Sequence, residues 1–248
     1  MKNTIAPWLS AIRRAAVLTL VLGGAGCQPW TVHAPVASRP GISESQAQAT
    51  QGRVETVTLV QTSLGVPKAF KVYVPAGYPG GGPYPTLYLM RGTMDEWLNP
   101  DQDDSRRGRT AVSVYESLRR AGTVGDLIFV FPGLGSDDGQ WPAILTNWIA
   151  PEKAAGVGNG RFADYLFKDV IPQVDKRFRT VGARQHPAID GFSLGGWAAV
   201  QAAVTHPEVF ASVGGFDGTY PFAKSAKQVA PDDELWQMPF FDPVFGQP

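Results

Sequence analysis

The sequence predicts an α/β fold: a mostly parallel sheet with helices on both faces, introduced by an antiparallel pair of strands. Three observations predict it. Short apolar runs alternate with stretches of helical periodicity from Thr86 to Phe216, the order that places crossover helices between parallel strands. Two strands of alternating apolar and polar residues precede them, separated by a short turn. The stretch Ile189-Asp190-Gly191-Phe192-Ser193-Leu194-Gly195-Gly196 then joins an apolar strand to an alanine-rich helix through a glycine-flanked bend. In an open parallel sheet such a bend falls at the carboxyl ends of the strands, where ligands bind.

The elements follow in order. Residues 54–60 alternate apolar and polar side chains and predict a half-buried strand; residues 69–75 do the same, and Thr62-Ser63-Leu64-Gly65 supplies the turn between them. Residues 78–85 are rich in Gly and Pro and break the pattern. Thr86-Leu87-Tyr88-Leu89-Met90 is almost continuously apolar, as a strand buried on both faces must be, and Arg91-Gly92-Thr93 follows at its carboxyl end. Residues 110–121 predict a helix with Val114, Leu118 and Ala121 on one face. Residues 126–131 predict a second buried strand, ended by Pro132-Gly133. Phe162, Leu166, Val170, Val174 and Phe178 recur every four residues and predict an amphipathic helix, which Pro172 should kink. After the bend, residues 197–204 predict a helix because alanine is the best helix former. Residues 210–216 predict a last strand, with Asp217-Gly218 at its carboxyl end.

Composition narrows the function. The chain has 248 residues, 44% hydrophobic, with 22 Lys+Arg against 22 Asp+Glu. A net charge of zero lacks the basic excess that nucleic acid demands. No histidine pair stands at ligand spacing and there is one cysteine, so no metal site is expected. Gly80-Gly81-Gly82 lies in a proline-rich loop with no helix after it, so it is not a phosphate or dinucleotide loop, and no cofactor is expected.

The front of the chain predicts export. Lys2, Arg13 and Arg14 precede an apolar run over residues 15–22, small residues follow, and then comes Cys27; this is the order of a secretory signal. Gly24-Ala25-Gly26-Cys27 resembles a bacterial lipoprotein cleavage box, with glycine where leucine is usual; a plain signal peptide that contains a cysteine is the alternative. Membrane contact is expected only through a lipid anchor on Cys27. Residues 28–51 read as a flexible tether. The expected organisation is therefore a signal peptide over 1–27, a tether over 28–51 and an α/β domain over 52–248, in the envelope, the periplasm or the medium.

The bend carries the chemistry. Gly191-Phe192-Ser193-Leu194-Gly195 matches G-x-S-x-G between a strand and a helix, the context of a nucleophile elbow. The sharp turn strains Ser193 and lifts it above the sheet edge. A Cβ at Gly191 or Gly195 would collide with a neighbouring strand or helix.

With Leu89-Met90-Arg91-Gly92-Thr93 and the helix Tyr165-Leu166-Phe167-Lys168-Asp169-Val170-Ile171-Pro172, the elbow Asp190–Gly196 gives a resemblance that runs from about Val54 to the end of the chain. The sequence resembles the esterase-D-like branch of the α/β-hydrolase fold, which includes S-formylglutathione hydrolases, enterochelin esterases, feruloyl esterases and mycolyltransferases. The resemblance implies Ser193 as nucleophile and the backbone N–H groups of Leu194 and Thr93 as oxyanion donors. Arg91 would touch a substrate carboxylate or sugar, or form a structural ion pair. Asp95, Glu96 and Trp97 would line the cleft mouth or form a solvated loop.

The resemblance also implies an acid and then a histidine after the serine, and here the pattern breaks. The sole histidine after Ser193 is His206, at the far end of the helix that Ser193 opens, roughly 18 Å away at 1.5 Å per residue. His186 precedes the elbow strand and His33 lies in the tether. Asp217 follows a strand but has no histidine to orient. The expectation is an exported serine carboxylic-ester hydrolase or acyltransferase acting on a small-molecule or glycan ester, impaired because the chain looks short at its carboxyl end and lacks the last strands, the acid and the histidine. The alternative is a non-catalytic envelope binding protein that keeps the cleft.

Overall fold

The computed structural model describes residues 51–102, 106–141, 144–182, 187–218 and 241–246. The expected leader, Cys27, His33, nearly all of the tether, and His186 lie outside the described residues. Six strands form one sheet: β1 (Arg53–Leu59), β2 (Lys68–Val74), β3 (Thr86–Met90), β4 (Ile128–Phe131), β5 (Ala188–Gly191) and β6 (Ser212–Val213). Their spatial order is β1-β2-β4-β3-β5-β6. β1 and β2 are antiparallel, as the alternating pattern predicts, and β2 runs antiparallel to β4. β4, β3, β5 and β6 are mutually parallel, so their carboxyl ends share one edge with the amino end of β2.

Tyr88, Met90, Ile128, Val130 and Ile189 are all buried at the centre of this sheet, because crossover helices cover its faces. The main crossover begins as helix α2 (Phe162–Asp164), widens into a π-helical stretch over Tyr165–Val170 and returns to helix α3 (Ile171–Arg177). The expected face of Phe162, Leu166, Val170, Val174 and Phe178 is buried throughout. Pro172 acts as a widened turn. It has no N–H, and its ring would press on the carbonyl four residues back; Ile171 N–H instead bonds Leu166 O, five residues back, which opens the helix just ahead of the proline.

Helix α1 (Ala111–Arg120) is capped as its sequence allows: Ser113 N–H donates to Thr110 Oγ1 and Thr110 N–H to Ser113 Oγ. Its buried face is not the predicted one. Val114 and Leu118 are each 40% exposed, and Tyr115 and Glu116 are buried instead. Polar partners decide the orientation. The Tyr73 hydroxyl and the Gly52 N–H both donate to Glu116 Oε1, and Leu127 N–H donates to the Tyr115 hydroxyl, which in turn donates to Gly125 O. Tyr115 packs edge-on against Tyr73 and Phe129. Burial, reinforced by Glu116, pushes the Tyr73 hydroxyl well above the usual phenol range, so it stays a neutral donor.

The last predicted strand is shorter than expected. β6 covers only Ser212–Val213, and a separate bridge joins Phe192 to Phe216. Between them Gly214 N–H still donates to Ile189 O and Phe216 N–H to Gly191 O, and the carboxyl of Asp190 fills the space a Cβ on Gly214 would need, at 2.7 Å. Helix α4 (Leu194–Thr205) follows the elbow, and a short helix α5 (Asp242–Phe245) docks on the loop after Trp148 through Ile149 N–H to Val244 O and Ala150 N–H to Pro243 O. No described helix is long and apolar enough to cross a membrane.

Glu116 anchors the start of the domain, and its network sets a measurable stability. Tyr73→Phe removes one donor from a buried carboxylate, and urea unfolding is expected to show a loss of about 1–3 kcal/mol with no change in secondary structure by circular dichroism.

Candidate active site

The bend between β5 and α4 is held by close backbone approaches. A Cβ on Gly191 would lie 2.1 Å from Gly195 O, and one on Gly195 would lie 2.0 Å from Met90 O. Both distances are impossible for real side chains, so glycine is obligatory at both positions. Ser193 has φ 57° and ψ −125°, a backbone region that is strained for a residue with a Cβ. Its N–H donates to Phe216 O at 3.0 Å and its carbonyl accepts from Gly196 and Trp197. Ser193 itself is half-buried at the carboxyl edge of the sheet. Leu194 opens α4, and amides in the first turn of a helix have no intrahelical acceptor and face the positive end of the dipole.

The loop after β3 stands beside the elbow: Met90 O and Arg91 N both border the Cβ position of Gly195. Here the structure gives every residue singled out from the sequence a partner within the protein. Arg91 forms an ion pair, one of the two roles its position allows, with Nε and Nη2 at 3.0 and 2.9 Å from Glu96 Oε2. Its guanidinium also lies over the Phe192 ring, 4.6 Å from the centroid. Thr93 N–H, expected as an oxyanion donor, already donates to Glu96 Oε1 at 2.7 Å. Asp95 pairs with Lys71. Trp97 Nε1–H donates to Met90 O at 3.2 Å, and its side chain packs against the buried cluster of Tyr73, Leu89, Tyr115, Phe129 and Phe131. Asp95, Glu96 and Trp97 are each tied to another part of the protein, and Asp95 is still exposed to solvent.

Glu96 is the residue that sequence reasoning undervalued. The sequence offers it as part of a cleft mouth or of a solvated loop, whereas its role depends on Arg91 five residues earlier curling back across Gly92. The sole sequence signal is Gly92 itself, whose Cβ would meet Glu96 Oε1 at 2.6 Å. Lys68 also escaped notice. It is buried at the edge of β2, where Nζ donates to Gly135 O and Asp137 Oδ1. It lines a cavity of about 200 Å³ with Thr93, Met94, Asp95, Ser136 and Asp137. With β4 and β3 between β2 and β5, Lys68 stands three strand spacings from the elbow strand, roughly 14 Å, so its ammonium is no base for Ser193.

His206 lies where the sequence places it, just past the end of α4. Its ring packs on Phe167 at 3.7 Å, and Nδ1 meets Glu208 Oε1 at 3.1 Å. Asp217 is exposed in a turn with φ 50°. Among the described residues no histidine reaches Ser193, and no cluster of His, Cys, Asp or Glu is arranged to hold a metal ion. The arrangement supplies a strained serine, a helix amino terminus and an ion-paired loop. It suits attack on a carbonyl carbon with the developing oxyanion held by backbone amides.

The backbone contact at Gly195 is directly testable. Gly195→Ala is expected to destabilise the fold by several kcal/mol through overpacking, read as a lowered thermal midpoint, whereas Ala198→Gly in the same helix should cost only about 1 kcal/mol.

Residues 62–239 match the family described as "Putative esterase". A curated relative, an endo-1,4-beta-xylanase/feruloyl esterase of Xylanibacter ruminicola, is 26% identical over 164 residues, covering 64% of this chain and 20% of that protein. Among solved structures, a ferulic acid esterase matches with a TM-score of 0.56 at 24% identity, covering 68% of this chain and 61% of the other. The feruloyl esterase module of Clostridium thermocellum, complexed with sinapinate, matches with a TM-score of 0.55 at 21% identity, covering 79% and 65%. The chain thus spans about a fifth of the curated relative and less than two thirds of each of these solved chains. The family match covers most of the chain, so the chain belongs to the family described as "Putative esterase", and it shares its α/β-hydrolase fold with these solved esterases.

Proposed function

We propose that this protein is an exported serine esterase, a carboxylic-ester hydrolase or acyltransferase that works through an acyl-enzyme on Ser193. The observation that carries the reading is the backbone of Ser193 itself: a strained serine between two glycines that tolerate no Cβ, at the head of a helix. Strain of this kind costs about 1–3 kcal/mol and persists where it serves a site. In the proposed reaction Ser193 Oγ adds to the ester carbonyl, the Leu194 amide and a second amide after β3 hold the oxyanion, and the alcohol leaves. Water or another alcohol then takes the acyl group from the serine.

Substrates with an aromatic acyl group are the first to test. Phe216 is 71% exposed and stacks on Phe192 at 5.6 Å, which offers an aromatic face next to the nucleophile. The names of the similar proteins also refer to feruloyl esters. Export rests on the basic and apolar leader of the sequence, with Cys27 as the lipid-bearing residue of an envelope lipoprotein or, failing that, a plain cleaved signal.

A second reading, binding without turnover, is favoured by one observation: among the described residues no histidine stands near Ser193. A serine without its base is a poor nucleophile, and in subtilisin loss of the base costs about a millionfold. Hydrolysis of nitrophenyl acetate and methyl ferulate by the whole chain, beside Ser193→Ala, decides between the readings. The esterase predicts a rate that falls to the buffer value in Ser193→Ala. Equal rates from the two proteins, with saturable binding of methyl ferulate, would establish the binding protein. Cys27→Ala is expected to move the protein from the membrane fraction to the soluble fraction of a bacterial host. An unchanged distribution would remove the lipid anchor.

A further inference from the structure

The clasp on the loop after β3 has a chemistry of its own. Glu96 Oε1 accepts the Thr93 N–H at 2.7 Å, while Oε2 is held by Arg91 through both Nε and Nη2. The two oxygens do different work. A carboxylate oxygen on a backbone amide is an anionic acceptor, as is the oxygen of a tetrahedral ester intermediate, although it carries only about half of the charge. Gly92 leaves room for it, since a Cβ there would lie 2.6 Å from Oε1. The pair is partly withdrawn from water, with the Arg91 and Glu96 side chains 10% and 19% exposed. It also adjoins the nucleophile's turn, because the Arg91 guanidinium lies over Phe192, the residue before Ser193.

We propose that Glu96 is a built-in occupant of the second oxyanion position, an internal anion that the reacting ester must displace from the Thr93 amide. This rests on the esterase reading of Ser193. Displacement needs a rotation of the carboxylate that takes Oε1 off the Thr93 amide and shifts Oε2 beneath the two Arg91 donors. The ion pair to Arg91 runs through Oε2 and survives a small rotation of the carboxylate. Glu96 is thus a control on the site, setting how much of the oxyanion stabilisation is spent on removing a resident group. A hydrogen bond to a charged partner corresponds to about ten- to a hundredfold in an equilibrium, and that is the scale of the expected effect.

Phenylboronic acid tests this without turnover. Ser193 Oγ adds to the trigonal boron, its proton goes to solvent, and the tetrahedral boronate that forms carries the negative charge into the oxyanion position. Binding to the whole chain is measured by calorimetry for wild type, Glu96→Gln, Glu96→Ala and Ser193→Ala, with exchange of the Thr93 amide followed in parallel by hydrogen–deuterium exchange. Glu96→Gln keeps the shape and weakens the occupant, so the boronate should bind about tenfold more tightly and the Thr93 amide should exchange faster. Glu96→Ala should act in the same direction. A thermal melt identifies any variant that has lost its fold, and Glu96→Gln, which keeps hydrogen bonds to Arg91, then carries the test. Weaker or unchanged boronate binding in folded Glu96→Gln would overturn the proposal and make Glu96 a scaffold residue. Boronate binding that is absent from wild type, or that persists in Ser193→Ala, would overturn the esterase reading itself and the proposal with it.

Discussion

The structure depends on one steric constraint: helix α4 approaches the end of β3 so closely that residue 195 can carry no side chain. A Cβ there would sit 2.0 Å from the Met90 carbonyl oxygen. This approach sets where α4 begins, and hence where Ser193 and Leu194 stand relative to the loop after β3. Gly191 meets the same constraint from the other side of the turn, against Gly195 O. The two glycines make the elbow a backbone-to-backbone joint, whose geometry is fixed by hard contacts rather than by rotamers. Such contacts are incompressible on the scale of a fraction of an ångström, which suits a site that needs amides aimed before charge develops.

Around that joint the polar contacts are layered. Met90 O takes the Trp97 indole N–H, and Arg106 binds Glu96 O, so the loop after β3 is tied to the sheet through its own backbone and through a tryptophan. Arg91 and Glu96 add an ion pair in which Nε and Nη2 share Oε2, and the Arg91 guanidinium lies over Phe192. Removing one member of a buried pair costs about 3–5 kcal/mol where solvent is excluded; partial exposure here lowers that figure. Further along the sheet, Glu116 does comparable work for the entry of the chain, joining α1 to Tyr73 and Gly52.

How much of this could be read from the sequence depended on whether periodicity or polarity decided it. The strands at 86–90 and 128–131 and the face of Phe162, Leu166, Val170, Val174 and Phe178 were legible because apolar spacing reports burial directly. The turn at 191–195 was legible because only glycine tolerates it. The orientation of α1 was not: the apolar residues Val114 and Leu118 point outward, and a buried glutamate bonded to a tyrosine 43 residues away turns the helix. The occupancy of the Thr93 amide was equally hidden, because an acidic residue in a loop carries no signal of which backbone group it binds. Pro172 announced an irregularity in its helix, and the helix answers by widening, with Ile171 N–H on Leu166 O five residues back. At the site, the serine and its flanking glycines were visible, whereas the partners that engage Arg91, Thr93 and Trp97 depend on how the loop folds back.

The φ of 57° at Ser193 has a consequence for how this chain can change. Glycine adopts that backbone freely, so relief of about 1–3 kcal/mol of strain competes with roughly 1 kcal/mol of added freedom in the unfolded chain. The most comfortable occupant of position 193 is therefore one with no hydroxyl at all. The fold and the chemistry pull that position in opposite directions, and the serine is retained against the local preference of its own backbone.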